Sequence, residues 1–464
     1  MKDTIAARFP DDFVWGAATA SYQIEGAITD DGRAPSVWDV FSETPGRVEN
    51  GDTGDIACDF YHRYPEDVQL MKRLGLEAFR FSIAWTRVIP QGRGAVNEKG
   101  LDFYDRLVDE LLANDITPFP TLFHWDLPQA LEEEGGWTVR PTIDAFCEYV
   151  EAVVGRLGDR VENWATHNEP WVHAWLGYGA GTWGPEMHAP GRTTRREGAA
   201  AAHHLMVAHG RAIEIMRREM PDAKLGVVLN MTPAVPASDS EADRYAAQIS
   251  DGHANRWFLD AVFKGTYPQD VVDVIGADMP EIHEGDMELI SAPLDWLGIN
   301  HYFQVVARGP QNGDGGGIVM DQDKQYTAMG FPWEVNADAF YELLTRVQRD
   351  YDPPCMFITE NGAAFYDYQQ HDGSVKDPER VAFLQGYIDA VGRAIEDGAQ
   401  IKGYFVWSLL DNFEWARGYS RRFGVVYVDY RTLERTPKSS ALWYSDLIAA
   451  HRERARSAGL ALDA

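Results

Sequence analysis

Two glutamates stand directly behind apolar runs far apart in the chain. They are Glu169 in Thr166-His167-Asn168-Glu169-Pro170 and Glu360 in Ile358-Thr359-Glu360-Asn361-Gly362. Desolvating a carboxylate in such a place costs free energy unless it has a partner or a purpose. One purpose is cleavage of a glycosidic bond flanked by two carboxyls. At about 5–5.5 Å apart one attacks the anomeric carbon and the other protonates the leaving oxygen, whereas a wider gap admits a water and inverts the centre. A structural ion pair at each position is the plain alternative, and the two motifs alone leave both open.

The elements that must position these carboxyls are legible as short apolar runs separated by helical patterns. The runs are Phe13 to Ala20, Ala78 to Trp85, Thr117 to Trp125, Asn163 to Pro170, Leu225 to Thr232, Asp295 to Tyr302, Pro353 to Gly362 and Ile401 to Asn412. Near-continuous apolar strands suit a parallel sheet covered on both faces. Between them, Leu101, Tyr104, Leu107, Val108, Leu111 and Leu112 share one face of a helix over Glu98 to Asn114, with Asn97 placed to cap it. Phe146, Val150, Val153, Val154 and Leu157 form a second stripe. Pro65 to Leu74 reads as a third helix ended by Gly75. Eight strands alternating with helices predict an α/β fold, a single (β/α)8 barrel over residues 1–464. Such a barrel needs about 250 residues, so roughly 200 are expected in elaborated loops. Function gathers where barrel strands end, and strands four and seven lie nearly opposite, so their glutamates are expected to converge.

Composition narrows the class. The 464 residues are 45% hydrophobic, enough for a large core, and carry a formal charge of −30. Only nine of the 42 basic residues are lysine. So acidic a chain argues against nucleic-acid phosphates and anionic membranes as partners. It fits either a high-salt environment, where salt screens self-repulsion, or an ordinary acidic protein. No apolar run is long enough to predict a transmembrane helix, and the N-terminus lacks the pattern of a signal peptide. Cys58, Cys147 and Cys355 show no pairing or metal spacing, which suits a reducing compartment. A cytoplasmic protein is expected.

Further motifs extend over nearly the whole chain. They are Ala20-Ser21-Tyr22-Gln23-Ile24-Glu25-Gly26, Phe79-Arg80-Phe81-Ser82-Ile83-Ala84-Trp85, Phe123-His124-Trp125-Asp126-Leu127-Pro128, Trp407-Ser408-Leu409-Leu410-Asp411-Asn412-Phe413-Glu414-Trp415 and Arg422-Phe423-Gly424-Val425. With the two glutamate motifs, in this order, the chain resembles glycoside hydrolase family 1, the β-glucosidase family. The resemblance implies a retaining exo-β-glycosidase with Glu169 as acid/base and Glu360 as nucleophile. Glu360 is then expected to be ionised, its pKa held down by Arg80 at the end of strand two, with Tyr302 donating to it and Asn300 supporting that side. Negative Glu360 is expected to raise the pKa of Glu169 until glycosylation removes the repulsion. Gln23, His124, Trp125, Asn168 and Glu414 match the family's sugar ligands, Asn168 facing the 2-hydroxyl. Trp407 and Trp415 match its aromatic platform, with Phe423 beside them, and Trp333 resembles the aromatic that stacks on the leaving group. Glu414 is expected to repel a phosphate dianion and to accept from neutral hydroxyls, which favours unphosphorylated β-glycosides or oligosaccharides.

Two stretches depart from the family pattern: Thr182-Trp183-Gly184-Pro185-Glu186-Met187, inserted before His188-Ala189-Pro190-Gly191, and Gly330-Phe331-Pro332-Trp333-Glu334. Both bear on leaving-group preference. His203, His204 and His209 share one predicted helix without an HExxH pattern, and packing roles are expected rather than metal binding. No nucleotide fingerprint occurs and no cofactor is implied, because two carboxyls and water suffice. The patch at 312–317 reads as a mobile surface loop, and Glu132 to Glu134 as a solvated face. The rival readings are an endo-acting glycanase, a transglycosylase and a non-catalytic sugar-binding protein.

Overall fold

The computed structural model describes residues 2–183, 186–311, 315–330 and 332–462. Eight parallel strands close into a barrel: β1 (Val14–Ala18), β2 (Ala78–Ser82), β3 (Thr117–Phe123), β4 (Asn163–Asn168), β5 (Lys224–Asn230), β6 (Trp296–Asn300), β7 (Met356–Asn361) and β8 (Ile401–Trp407). Neighbours in sequence are neighbours in the ring, and β8 returns to β1 with Ala18 opposite Trp407. Each apolar run expected as a strand supplies one stave. The strands are buried on both faces, since side chains alternate between the interior and the surrounding helices.

The interior is stratified. Lower in the barrel, Phe119 packs against Phe405 and Phe357 with ring centroids 4.9 and 5.4 Å apart, and Trp296 meets Phe357 at 5.6 Å. Gly16 makes room for this plug, because a Cβ there would stand 2.5 Å from the Phe405 ring. The upper interior is polar. Arg80, aligned with Ala18 and Phe119, lies in the middle of β2 rather than at its end, and its long side chain spans the difference.

The outer helices include Phe60–Arg73, Glu98–Ala113, Pro141–Leu157, Arg195–Glu219, Trp257–Lys264, Ala337–Tyr351, Pro378–Glu396 and Ser439–Leu462. Helix Glu98–Ala113 buries Leu101, Phe103, Tyr104, Leu107, Val108 and Leu111. Each such side chain contributes about 1.5–3 kcal/mol, and truncating Leu107 to Ala would cost about 2–5 kcal/mol. Asn97 does not cap it as expected: its amide donates instead to the carbonyls of Asp31 and Arg87, both at 2.8 Å. The helix expected to start at Pro65 starts at Phe60. Packing of buried Phe60 against Phe79, centroids 5.9 Å apart, offsets the one backbone bond Pro65 cannot make.

The surplus chain forms the loops above the strand ends. Within them, Ala234–Pro236, Val305–Arg308 and Gly317–Val319 make a small sheet, and Val426–Asp429 with Glu434–Pro437 a hairpin. Of the patch expected to be a mobile loop, residues 312–314 lie outside the described residues, whereas Gly317 pairs with Arg308. Glu132 is not a solvated residue: it accepts from Tyr178 Oη at 2.5 Å and Arg192 Nε at 2.7 Å, tying the loops after β3 and β4 together. Among the described residues, no helix is long and apolar enough to cross a membrane.

Candidate active site

Glu360 is the fifth residue of β7, opposite Asn300 in β6. Glu169 follows β4 with φ of 44°, a conformation non-glycine residues rarely adopt, and its N–H donates to Val228 O at 2.9 Å. Both carboxyls are buried. Glu360 Oε1 accepts from Arg80 Nη1 and Oε2 from the Tyr302 hydroxyl, each at 2.5 Å. Glu169 Oε1 accepts from Asn300 Nδ2 at 2.7 Å. The Asn300 amide cannot turn over freely, because its Oδ1 accepts from Thr359 Oγ1 at 2.7 Å. The same two side chains bind Asn168: its Oδ1 accepts from Arg80 Nη2 at 2.7 Å and from Asn300 Nδ2 at 3.0 Å. Strands β2, β4, β6 and β7 thus join in one hydrogen-bonded network.

Burial sets the protonation of the pair more than mutual repulsion does. It lifts the Glu169 carboxyl well above the usual carboxylate range, and the Glu360 charge adds a smaller push in the same direction. The upward push expected from Glu360 is present, with burial as the larger cause. Against expectation, Arg80 does not bring Glu360 below its ordinary value: burial raises it, while Arg80 and Tyr302 recover part of that rise. Glu360 has a cation and a phenol to hold its charge; Glu169 has an amide. The proton of the pair accordingly resides on Glu169 and the charge on Glu360.

Around the carboxyls lie polar groups suited to hydroxyls. Since Asn168 Oδ1 faces Arg80, its Nδ2 donates to His124 Nε2 at 3.0 Å. His124 is kept neutral by burial and by Arg80, and its proton sits on Nδ1. Among the described residues that Nδ1 and Gln23 Oε1, both buried, have no hydrogen-bond partner, which leaves them for a ligand. Gln23 Nε2 donates to Phe413 O at 2.9 Å, to Asn412 Oδ1 at 3.1 Å and to Glu414 Oε2 at 3.4 Å. Glu414 departs from expectation: burial, then Glu186 and Glu360, push its pKa up to about 8. It carries a proton near neutrality and both donates and accepts.

The aromatic residues divide into two groups. Trp407 and Trp415 flank His124, each at 24° to its ring and 6.1 and 5.8 Å away. Trp415 also packs on Trp125 and Trp38 at 4.6 Å, and Trp125 Nε1 donates to Asn168 O at 2.9 Å. Phe423 belongs to the second group, 6.1 Å from Tyr302 and 5.9 Å from Trp333. Trp333 packs on Phe303 and Tyr302 at 4.7 and 5.2 Å. Every residue read from the sequence as a site candidate thus belongs to one of these connected sets. Of the two departing stretches, Gly184, Pro185 and Phe331 lie outside the described residues. The helix histidines serve packing: His203 bonds Asp286 at 2.9 Å, His204 the Trp137 carbonyl at 2.8 Å and His209 Thr166 at 2.7 Å.

A buried carboxyl pair with unequal donors, beside unpartnered polar atoms and exposed to aromatic rings, is equipment for acid-assisted displacement at a sugar carbon. Comparison with known proteins agrees with that chemistry. The family model described as Glycosyl hydrolase family 1 matches residues 5–453. The chain belongs to glycosyl hydrolase family 1. Its relatives include β-glucosidase A of Thermotoga maritima, 45% identical with 95% of this chain and 98% of the relative covered. β-Glucosidase A of Acetivibrio thermocellus is 44% identical over the same shares. The solved β-glucosidase from Thermotoga maritima in complex with deoxynojirimycin superposes with a TM-score of 0.92, at 45% identity, covering 96% of this chain and 99% of that one.

In this family 1 glycoside hydrolase several supporting residues escaped the reading of the sequence. Thr359 stands inside a motif already noticed, but nothing in its type says that it orients Asn300. Trp38, far from any other motif, backs Trp415, and a lone tryptophan between ordinary residues gives no sign of that. His188 packs against Trp38 and Trp125 at 5.3 and 5.7 Å.

Proposed function

We propose that this chain is a retaining, exo-acting β-glucosidase that removes terminal, unphosphorylated β-D-glucosyl residues by double displacement. The observation that carries the reading is the unequal hydrogen bonding of the carboxyl pair. Glu360 is held by Arg80 and Tyr302, and Glu169, among the described residues, by Asn300. In the first step Glu360 attacks the anomeric carbon, the bond to the aglycone oxygen breaks, and Glu169 gives that oxygen its proton. Glycosylation neutralises Glu360, so Glu169 loses part of what raised its pKa and takes a proton from water. The water oxygen then bonds to the anomeric carbon and the Glu360 ester breaks.

Asn168 Nδ2, His124 Nδ1, Gln23 Oε1 and Glu414 supply both donors and acceptors for hydroxyls, with Trp407 and Trp415 as apolar faces. That mixture suits a neutral glycone, and β-galactosides or β-fucosides fit the same donor set. The naming of the relatives as β-glucosidases favours glucose. Three unpaired thiols, Cys58, Cys147 and Cys355, suit a reducing cytoplasm.

The test is incubation with a 2-fluoro-β-glucoside carrying an activated leaving group, followed by peptide mass analysis. The reading expects one added fluoroglucosyl mass on the peptide containing Glu360. It also expects β-glucose as the first product of an ordinary β-glucoside in proton NMR. α-Glucose as the first product would overturn it, as would no turnover at all.

A further inference from the structure

Glu186 lies in the segment between Gly181 and His188 that lengthens the loop after β4. Its carboxylate approaches Arg417 Nε and His188 Nε2, each at 3.8 Å. Both contacts lead to the far end of the sugar pocket. Arg417 closes the short helical turn Trp415–Arg417, and its N–H donates to Glu414 O at 2.8 Å. Glu414 N in turn donates to Gly418 O at 2.7 Å, so Glu414, Trp415 and Arg417 move as one turn. The His188 ring packs on Trp38 and Trp125, the two indoles that lie against Trp415. The Glu186 carboxylate therefore stands between the Glu414 turn and the His188 ring, within ion-pair distance of each.

We propose that Glu186 is a specificity-determining residue of this pocket, a fixed negative charge beside Glu414 that excludes glycones bearing a carboxylate or phosphate at C6. The proposal rests on the β-glucosidase reading above, which places the glycone against Glu414. The charged and polar groups facing Glu414 are Glu186, Glu360, Arg417 and Gln23. His188 and Arg417 hold Glu186 below the ordinary carboxylate range, whereas Glu414 keeps its proton up to about 8. Near neutrality the standing charge at this end of the pocket is thus that of Glu186, on the inserted loop. Arg417 is partly exposed, so solvent screens it and it offsets that charge only in part, while His188 is buried against Trp38 and Trp125.

The experiment compares D-glucuronate with D-glucose as competitive inhibitors of chromogenic β-glucoside hydrolysis at pH 6, where glucuronate is ionised. Wild type, Glu186→Gln, Glu186→Asp and Arg417→Gln are measured at one ionic strength. Because both inhibitors are read on the same enzyme, a general loss of folding cancels in the ratio of inhibition constants. Glu186→Gln is expected to improve glucuronate relative to glucose by about two- to fivefold. Glu186→Asp should keep the wild-type ratio, and Arg417→Gln, which leaves the carboxylate unneutralised, should worsen glucuronate further. Raising the pH through 8 should restore discrimination in Glu186→Gln as Glu414 ionises. An unchanged ratio in Glu186→Gln, with β-glucoside hydrolysis intact, overturns the proposal alone. Absence of β-glucoside hydrolysis in wild type overturns the underlying reading and the proposal with it.

Discussion

Asn300 Nδ2 donates a hydrogen bond to Glu169 Oε1 at 2.7 Å, and Oδ1 of the same amide accepts one from Thr359 Oγ1. A neutral side chain therefore opposes part of what burial and Glu360 do to the Glu169 proton. Donation to the carboxylate lowers the pKa that burial raises. Replacing Asn300 by Ala should move the basic limb of kcat/KM to higher pH while reducing the rate. A pH profile on a β-glucoside checks this, and a limb that stays or moves down contradicts it.

Thr359→Val keeps shape but removes the hydroxyl that orients Asn300. The amide then loses the bond that fixes its oxygen, and only the weaker contact of Nδ2 with Asn168 Oδ1 at 3.0 Å still favours presenting Nδ2 to Glu169. Activity should fall by up to roughly 10²-fold through misorientation, with thermal stability little changed. Steady-state kinetics beside a melting curve distinguishes this from general unfolding.

Glu360→Ala should abolish nearly all turnover of every β-glucoside. Glu169→Gln should slow substrates with poor leaving groups by about 10²–10⁴-fold, and those with nitrophenolate leaving groups less in the first step. A series of aryl β-glucosides of graded leaving-group acidity reads this as a steeper dependence in the variant.

Glu414 offers a stability test with a definite sign. Its carboxyl moves from the ordinary 4.5 to about 8 on folding. The folded protein thus prefers the protonated form. The associated stability is full below about 4.5 and is lost as pH rises to about 8. Glu414→Gln has no such loss. Its melting temperature relative to wild type should climb between pH 5 and 8, and a flat difference would refute the shift.

The formal charge of −30 predicts a response to salt. If the surface is adapted to screening, melting temperature and activity should both rise from low to molar salt. Unchanged or lower stability marks an ordinary acidic protein instead.

How much of this was legible before the fold was known depends on the kind of interaction. Strand runs such as Ala78 to Trp85 announced themselves because both faces of the barrel are buried, so apolar residues follow one another without alternation. The glutamates announced themselves because a carboxylate after such a run needs explaining. Asn97 misled because its amide serves equally well as a cap or as a tie between loops, and tertiary partners decide which. Glu132 misled similarly, since its acidic neighbours hid a residue that Tyr178 and Arg192 pull inward. The sign of the Glu360 shift was out of reach: it is a balance between burial and Arg80, and depth in the barrel is not written in the spacing of residues.

The ring of Phe119, Phe357, Phe405 and Trp296 has a kinetic meaning beyond packing. It fills the lower barrel with packed rings, so traffic to the carboxyls passes through the mouth. A departing aglycone and an arriving water must use the same passage in opposite directions, one after the other. Solvent viscosity and bulky alcohols should therefore govern the second half of the catalytic cycle more than the first.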